Sequence, residues 1–356
     1  MRLASDKAYR RLIRPLLFRL DAETAHRVTL ALLARWPAVR RKDDPPELAT
    51  TVFGLRFANP IGLAAGMDKD ARAVAAWDAL GFGFAELGTI TPRPQPGNPR
   101  PRIWRLPDQC AMINRLGFPS AGMEITASRI ERARQRNAGL RLAINFGPNK
   151  DTPPERVTAD YAALMARLGR HADLIVVNLS SPNTAGLREW QAPERIRAIV
   201  EALRSALPAD EPRPPLLIKI APDLERSTID EIGAAALALG LDGIVAANTT
   251  IKRAELGVEC SHPGGLSGQP LAELTRGVIA RFYRATDGKL PIIGVGGIDS
   301  AEDAWRHIRA GASLIELYTG MVYQGPGLAC AIKRGLRDLL TRHGHRSIGE
   351  AVGTDV

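Results

Sequence analysis

The chain has 356 residues, 45% hydrophobic and 24% charged, a composition typical of a folded globular protein rather than a disordered one. This length suits two average domains or one α/β barrel with additions. The three cysteines, Cys110, Cys260 and Cys330, form no CxxC pair, which argues against a disulfide framework or a zinc site and fits a reducing compartment. No stretch reaches the roughly 20 uninterrupted apolar residues of a membrane span, and no signal peptide is recognisable.

The net charge of +10 is concentrated at the N-terminus. Residues 1–42 contain 11 Lys/Arg and 3 Asp/Glu, so this segment carries +8 and the other 314 residues carry only +2. The sequence shows no interleaving of aromatic and basic residues of the kind that binds RNA. The basic charge therefore belongs to an N-terminal arm, residues 1–42, and does not indicate a nucleic-acid surface.

Two short amphipathic helices are predicted in this arm. The first carries an apolar stripe with arginines away from it and is interrupted by Pro15. The second begins after Asp21, a predicted N-cap with Glu23 in the first turn, and extends to about Trp36 before Pro37. One interpretation is a helical hairpin packed on the main domain with a solvated basic face; the other is a surface for anionic lipid. The first stripe consists of Tyr9, Leu12, Ile13, Leu16, Leu17 and Leu20.

The main domain, residues 46–340, begins with a small predicted hairpin over Thr51–Phe57. After it, the same order of elements recurs: a short apolar strand, a polar or glycine-rich loop, then an amphipathic helix. Residues 341–356 are expected to form a C-terminal tail. The predicted strands are Ile61–Ala65, Phe84–Leu87, Leu142–Asn145, Leu174–Asn178, Leu216–Ile220, Gly243–Ala247, Ile292–Gly294 and Leu314–Tyr318.

Eight such units in order predict a closed parallel (β/α)8 TIM barrel. A doubly wound open sheet is the alternative, but it would favour a glycine-rich dinucleotide turn after the first strand, and Ala64–Lys69 is not GxGxxG. The helical patterns between the strands are Ala71–Leu80, Gly122–Arg136, Pro154–Leu168, Pro193–Leu207, Ser227–Leu239, Leu271–Thr286 and Ala301–Ala310.

A barrel places function at the C-terminal ends of its strands, and here nearly every strand end carries an amide, a hydroxyl or a lysine. The densest set follows the fourth strand, where Ile175–Asn178 is followed by Ser181 and Asn183. No cluster of histidines or carboxylates has metal-ligand spacing, so no metal site is expected. The other polar strand ends are Asp68 and Lys69, Thr89, Asn145, Lys219, Asn248 to Thr250, and Tyr318 with Thr319.

The glycines at 294, 296 and 297 and the Tyr318–Gly320 segment follow strands seven and eight, where barrels commonly bind phosphate. Lys219 ends an apolar strand, so its ammonium is expected at the rim, partly desolvated, to form an ion pair or to stabilise developing negative charge. Together these features fit flavin mononucleotide (FMN). Thr91–Phe118 reads as one long loop, a candidate lid in which Asn114 presents an amide to a substrate and Arg115 adds a cation.

Several motifs, in order along nearly the whole chain, resemble dihydroorotate dehydrogenases. The motifs that carry the resemblance are Ala65–Asp70, Thr91–Asn98, Asn114–Phe118, Asn178–Thr184, Lys219–Leu224, Asn248–Thr250, Gly264–Gly268 and Val295–Ile298. Class 1 members of this family use a cysteine base and class 2 members a serine; the matching position here is Ser181. The basic amphipathic arm is similar to the class 2 arm that delivers quinone from the membrane.

The resemblance implies oxidation of dihydroorotate to orotate in pyrimidine biosynthesis, with Ser181 removing the C5 proton while hydride leaves C6 for N5 of FMN. A free serine is a poor base, so a proton relay is expected beside it. The implied substrate contacts are Lys69, Asn114, Arg115, Leu116, Gly117, Phe118, Asn178, Asn183, Asn248 and Thr249. The implied FMN contacts are Ala65, Gly66, Met67, Asp68, Lys69, Thr89, Asn145, Asn178, Lys219, Ala247, Gly268, Gly297, Tyr318 and Thr319.

By the same resemblance His26, Arg105 and Tyr318 line the route to a membrane quinone, the electron acceptor. The implied protein is a monomer bound peripherally to the cytoplasmic side of a bacterial inner membrane. Two alternatives stay open: another FMN barrel oxidoreductase with a soluble acceptor, which the arm and Ser181 disfavour, and a non-enzymatic peripheral membrane protein, which predicts no bound flavin.

Overall fold

The computed structural model describes residues 6–36, 44–136, 139–184, 186–208 and 210–356. Its strands, numbered along the chain, are β1 (Thr50–Val52), β2 (Leu55–Phe57), β3 (Ile61–Leu63), β4 (Phe84–Ile90), β5 (Ile103–Leu106), β6 (Ala111–Asn114), β7 (Arg141–Phe146), β8 (Leu174–Asn178), β9 (Leu216–Ile220), β10 (Gly243–Ala246), β11 (Gly265–Gly268), β12 (Ile292–Val295) and β13 (Ala312–Leu317).

The helices show the expected alternation with the strands. They are α1 (Asp6–Ala8), α2 (Arg14–Phe18), α3 (Ala22–Leu33), α4 (Val74–Ala79), α5 (Met123–Arg136), α6 (Val157–Leu168), α7 (Pro193–Ser205), α8 (Arg226–Ala238), α9 (Ala272–Ala285), α10 (Ala301–Arg309), α11 (Thr319–Gln324) and α12 (Leu328–His343). A π-helical segment, Tyr9–Ile13, links α1 to α2.

Eight parallel strands close into a barrel in the order β3-β4-β7-β8-β9-β10-β12-β13, which confirms the predicted (β/α)8 architecture and rejects the open sheet. The short apolar runs fold as strands because both faces of each strand are buried, one inside the barrel and one under the helices. The β1–β2 hairpin around Gly54 is also confirmed. Predicted strand ends deviate from the observed ones by up to three residues, and α11 and α12 were not predicted.

The segment predicted as one long loop, Thr91–Phe118, contains β5 and β6, so that interpretation was wrong. β5 and β6 pair antiparallel with each other. The central strand β6 also pairs antiparallel with β11, where Gly265 pairs with Asn114. The partner strand lies about 150 residues further along the chain, and local periodicity does not show such pairing. A small sheet therefore lies where an irregular loop was expected.

The helix predicted from Ala71 begins only at Val74 because Ala71 takes a positive φ of 55° and the Asp68 carboxylate accepts the N–H groups of Arg72 and Ala73. At the other end of the chain α12 runs to His343, so a domain boundary at residue 340 would cut this helix. Ile348 and Ala351 are fully buried. The last residues therefore pack on the barrel and do not form a free tail.

In the arm, Asp21 caps α3 as predicted, its Oδ1 accepting the N–H groups of Glu23 and Thr24 at 2.9 and 3.2 Å. The helix ends at Leu33, earlier than Trp36, and Pro37 lies outside the described residues. The arm is attached to the barrel: the Tyr9 hydroxyl donates to the Val322 carbonyl at 2.9 Å. The chain between arm and barrel is also fixed at Asp44, which accepts a 2.7 Å hydrogen bond from Lys333.

Candidate active site

The polar residues at the strand ends converge on one cavity. Parallel strands bring their C-terminal ends to the same rim of the barrel, so residues far apart in sequence meet there. Nineteen of the predicted site residues line this cavity: Ala65, Gly66, Lys69, Thr89, Asn114, Leu116, Gly117, Phe118, Asn178, Ser181, Asn183, Lys219, Ala247, Asn248, Thr249, Gly268, Gly297, Tyr318 and Thr319.

Four predicted contacts do not line it. Met67 is buried in the hydrophobic core. The Asp68 carboxylate is fully buried and accepts from two backbone N–H groups and from Trp77 Nε1 at 2.9 Å, so it fixes the turn before α4. The Asn145 amide donates to Glu86 beneath the cavity. The Arg115 guanidinium lies 5.8 Å from the Trp104 ring centroid and donates to the Pro101 carbonyl at 3.3 Å.

Ser181 lies on the loop after β8, buried, and its Oγ accepts the Asn183 N–H at 3.2 Å. This turn forms because Ser and Asn readily hydrogen-bond backbone groups two residues away, and Pro182 prevents the strand from continuing. Among the residues that the structure describes, no hydrogen bond joins Ser181 Oγ to a histidine or a carboxylate. The hydroxyl is thus held by a donor and its own proton remains free to be donated.

The amides around Ser181 are ordered by a network that joins several strand ends. Asn178 Nδ2 donates to Thr89 Oγ1 at 2.9 Å, and the Asn178 Oδ1 accepts from Ser180 Oγ at 3.0 Å. Asn248 Nδ2 donates to Ser180 Oγ at 2.9 Å, which joins the loop after β10 to the loop after β8. Asn183 Nδ2 donates to Asn114 Oδ1 at 3.4 Å. Because each amide is fixed, its remaining polar atoms face the cavity in defined directions.

One arginine that sequence reasoning missed fixes this side of the site. Arg188 donates to the Ser180 carbonyl through Nε at 3.1 Å and to the Thr249 carbonyl through an Nη atom at 3.1 Å. Its other Nη atom forms a 2.8 Å ion pair with Asp223. A single planar guanidinium therefore joins the β8 and β10 loops. The only signal in the sequence was an arginine a few residues after the Ser181 loop. Such a signal is too weak to assign a role to the residue.

The cavity floor contains a charge cluster that sequence reasoning found only in part. Lys219 Nζ lies 3.0 Å from Glu86 Oε2 and 3.6 Å from Glu316 Oε2, and all three side chains are buried below the rim where Lys219 was expected. Burial opposes the charge of Lys219, but the two carboxyl groups outweigh it and raise the lysine pKa. Glu86 and Glu316 were not predicted. The available signal for them was a glutamate in the middle of an apolar strand, as in Phe84–Ile90.

Burial would raise the pKa of Glu86 as well, but the Lys219 charge and hydrogen bonds from its neighbours lower it overall. For Glu316, burial and the adjacent Glu86 charge raise the pKa well above the usual range of a carboxyl group. Both Glu316 oxygens are buried without a hydrogen-bond partner among the described residues. The floor therefore holds an ammonium–carboxylate pair and a third carboxyl group whose charged form is disfavoured.

The glycines after β12 leave bare backbone at one end of the cavity. A Cβ at Gly297 would lie 2.4 Å from Ala272, and one at Gly296 would lie 2.7 Å from Thr275 Oγ1. Both residues have positive φ, 71° at Gly297 and 129° at Gly296, so side chains are excluded there by conformation as well as by space. A bare loop of this kind admits a phosphate to close approach by backbone N–H groups.

The three residues predicted for quinone access take different positions. Tyr318 lines the cavity, and its ring lies 3.2 Å from where a Cβ of Gly66 would stand. The desolvated surroundings of His26 and the nearby Lys69 charge lower the pKa of this histidine to about 3, so it is neutral. The Arg105 guanidinium lies 4.5 Å from the Phe18 ring centroid of α2. His26 and Arg105 are therefore at the interface between arm and barrel, outside the cavity lining.

Lys69 connects the cavity to the arm. Its Nζ donates to the Gly66 carbonyl at 2.6 Å, and burial lowers its pKa to about 8. On the arm side, Glu23 of α3 receives hydrogen bonds from Arg100 at 2.9 Å and from Arg102 at 2.7 and 3.0 Å. The arm is thus held against the segment that leads into β5, close to the cavity.

Within the described ranges, no group of three His, Cys, Asp or Glu side chains is arranged to hold a metal ion. No helix in the same residues has the length and apolarity required to cross a membrane.

A closed (β/α)8 barrel with a deep amide- and lysine-lined cavity at the C-terminal rim defines this chain as a barrel enzyme. The family model for dihydroorotate dehydrogenase matches residues 47–340. The dihydroorotate dehydrogenase (quinone) of Acidithiobacillus ferrooxidans is 48% identical over 359 residues, covering 96% of this chain and 98% of the relative. That of Rhodospirillum rubrum is 49% identical over 350 residues, covering 97% and 94%.

The chain belongs to the dihydroorotate dehydrogenase family, whose members are oxidoreductases acting on a CH–CH group. The fold agrees: the crystal structure of DHODH from Eimeria tenella in complex with ferulenol superposes with a TM-score of 0.89 at 41% identity, covering 94% of this chain and 96% of that one. The ligand-free form from the same organism gives the same TM-score and identity.

Proposed function

We propose that this protein oxidises dihydroorotate to orotate in pyrimidine biosynthesis, with FMN as its redox cofactor, Ser181 as the catalytic base and a membrane quinone as the final electron acceptor. The observation that carries the proposal is the convergence of Ser181, four asparagine amides and two lysines on one cavity. Amide groups complement the donor and acceptor pattern of a pyrimidine imide, and an ammonium complements its carboxylate. The relatives named above are quinone-dependent dihydroorotate dehydrogenases.

The cavity fits FMN by the chemistry of its lining. The bare backbone at Gly296 and Gly297 accommodates the phosphate, and Lys219 at the floor offers an ammonium to the polar edge of the ring. Glu316 also lines the cavity and brings a third ionisable group to its floor. FMN held there would supply a hydride acceptor for the substrate and an electron donor for the quinone.

Ser181 acts on the substrate C5–H. The Asn183 N–H that donates to Ser181 Oγ stabilises negative charge as the hydroxyl takes up that proton and loses its own. Since no described histidine or carboxylate is hydrogen-bonded to this oxygen, the displaced proton leaves through another hydroxyl or through water. Asn114, Asn183 and Asn248 meanwhile hold the ring so that C5 faces Ser181.

The test of this function is anaerobic stopped-flow absorbance of the purified holoprotein mixed with dihydroorotate. Rapid flavin bleaching is expected in the wild type and bleaching slowed by several orders of magnitude in Ser181→Ala. Ser180→Ala is the matched control: this hydroxyl touches Asn178 and Asn248, so its loss weakens substrate binding more than the reduction rate at saturation. Equal bleaching rates in wild type and Ser181→Ala would remove Ser181 from its role, and no bleaching would reject the substrate.

For the arm, we propose peripheral attachment of a monomer to the cytoplasmic face of a bacterial inner membrane. Six of the ten most exposed large apolar side chains among the described residues belong to the arm, including Leu12 at 67%, Leu16 at 62% and Leu32 at 64% exposure. The same segment carries most of the net positive charge. An apolar face flanked by arginines favours the surface of an anionic membrane. Quinone then enters between the arm and the barrel, beside Tyr318.

Sedimentation with vesicles tests this attachment. Replacing Leu16 and Leu32 together by serine removes exposed apolar area, about 1–3 kcal/mol of burial for each side chain, and lowers vesicle binding tenfold or more. Ile125→Ser on α5 is the control, since Ile125 is also exposed but lies outside the arm. Binding is expected to increase when phosphatidylglycerol is added to phosphatidylcholine vesicles. Equal binding of the double variant and the control would contradict the proposal.

A further inference from the structure

Three barrel strands each bring one ionisable side chain into the cavity floor: Glu86 from β4, Lys219 from β9 and Glu316 from β13. The other strands contribute no second ionisable group there. Strands β3, β8, β10 and β12 contain none, and Arg141 at the start of β7 pairs with Asp173 at the other end of the barrel. From the loops, Lys69 and Tyr318 face the same cavity.

The hydrogen bonds of the cluster are unequally distributed. Glu86 receives two, one from Asn145 and one of 3.0 Å from Lys219, so both of its oxygens are satisfied as a carboxylate. Glu316 receives none: its Oε2 lies 3.6 Å from Lys219 Nζ, beyond hydrogen-bond distance, and both oxygens are buried. One ammonium compensates one carboxylate, so an ionised Glu316 would add an uncompensated charge in a buried site, at a cost of several kcal/mol.

We propose that Glu316 is a neutral carboxylic acid beside the Glu86–Lys219 pair, and that this buried acid sets the net charge of the floor on which the reduced cofactor is held. The inference rests on the proposed FMN site. With Glu316 protonated, the Glu86, Lys219 and Glu316 cluster is neutral; with Glu316 ionised, it carries one negative charge. Reduction adds negative charge to a flavin held against this floor, and a second carboxylate would repel that charge.

The sign of the pH dependence follows from the geometry. A carboxyl group surrounded by another carboxylate and by apolar strands ionises only at a pH above its usual range. The neutral floor therefore persists at low and neutral pH, and the negative floor appears on the alkaline side. The Lys219 ammonium favours that ionisation, and it does so most strongly in the variant Glu86→Gln, where Lys219 is no longer paired with Glu86 and becomes the partner of Glu316.

Infrared spectroscopy tests the proton directly. The wild type is expected to show the carbonyl stretching band of a protonated carboxylic acid, shifted downward in D2O, and Glu316→Gln is expected to lose it. In Glu86→Gln the band also disappears, because the remaining glutamate becomes the carboxylate partner of Lys219. Asp299→Asn is the control: Asp299 is another half-buried carboxyl group with a raised pKa, but it does not line the cavity. A band that survives Glu316→Gln overturns the proposal.

A redox titration of the holoprotein tests the consequence. The ratio of reduced to oxidised FMN affinity is expected to be equal in wild type and Glu316→Gln at neutral pH, because glutamine has the charge and shape of the protonated acid. On the alkaline side the wild-type ratio should fall on the order of a hundredfold below that of Glu316→Gln, the effect of one charge a few ångströms away in a protein interior. Parallel curves at every pH would overturn the proposal.

With these two measurements, the protonation of Glu316 and the proposed function can be refuted independently of each other. A protein that purifies without flavin would refute the FMN site, yet the infrared band of Glu316 would still be measurable in it. If Glu316→Gln fails to fold, the wild-type band and its loss in Glu86→Gln decide the matter. A wild type with no carboxylic acid band overturns the inference whether or not flavin is bound.

Discussion

Removal of the Glu23 carboxylate is expected to release the N-terminal arm while leaving the barrel folded. Glu23 is the anionic partner of two arginines, Arg100 and Arg102, and its side chain is only 14% exposed. The Arg102 side chain is 6% exposed and keeps hydrogen bonds of 2.6 and 2.8 Å to the Pro96 and Asn98 carbonyls. Breaking a buried ion pair by removing one partner costs about 3–5 kcal/mol. Because Arg102 keeps its contacts with these carbonyls, the cost of Glu23→Ala is expected at the lower end of this range, about 3 kcal/mol.

Hydrogen–deuterium exchange read by mass spectrometry measures this loss at the arm. A local destabilisation of about 3 kcal/mol raises the exchange rates of the α3 amides about a hundredfold, while the amides of β8 and β9 keep wild-type protection. The control is Glu189→Ala, which removes an ion pair with Arg195 whose side chains are 69% and 44% exposed. That change is expected to stay within about 1 kcal/mol. Unchanged α3 exchange in Glu23→Ala would refute the reasoning.

The effect also has a defined pH dependence. Burial would raise the pKa of Glu23, but Arg102 and Arg100 outweigh it and lower the pKa overall. A carboxyl group with a lowered pKa in the folded state stabilises the fold above its unfolded pKa, about 4.3 for glutamate, and loses this contribution as the pH falls through the folded value. The difference in α3 exchange between wild type and Glu23→Gln should therefore shrink in acid below about pH 4.

Three further outcomes are expected. Asp173→Asn should lower the free energy of unfolding by about 2–4 kcal/mol at neutral pH, measured in urea, because two arginines outweigh burial and lower the pKa of this carboxyl group. The difference should shrink progressively as the pH falls from about 4 through the lower pKa of the folded state. Gly297→Ala should lower the flavin content of the purified protein, because its Cβ would clash with the Ala272 backbone and displace the loop proposed to hold the phosphate. Full flavin absorbance would contradict that role of the loop. Arg188→Lys should raise the KM for dihydroorotate about tenfold with a smaller change in kcat, because lysine cannot join both loops; an unchanged KM would contradict this.

The barrel and most of its rim were predictable from the sequence. Buried parallel strands require short runs that are apolar on both faces, so Leu174–Asn178 and Leu216–Ile220 were delimited to the residue. Because the C-terminal ends of such strands meet at one rim, Asn178, Lys219 and Asn248 were expected together and do line one cavity. The cap at Asp21 was predictable for a similar reason: its partners are only two and three residues away.

Tertiary structure alone decided the features that depend on distant partners. The β5–β6–β11 sheet pairs Asn114 with Gly265, and no local pattern shows a partner so far along the chain. Asp68 resembled a cofactor ligand by its position in the sequence, yet its carboxylate accepts hydrogen bonds from the N–H groups ahead of α4. The electrostatic environment of Glu316 is set by Glu86 and Lys219, each on another strand. Periodicity and strand-end position are local properties that a sequence displays, whereas burial, hydrogen-bond satisfaction and charge balance are set only when the barrel closes.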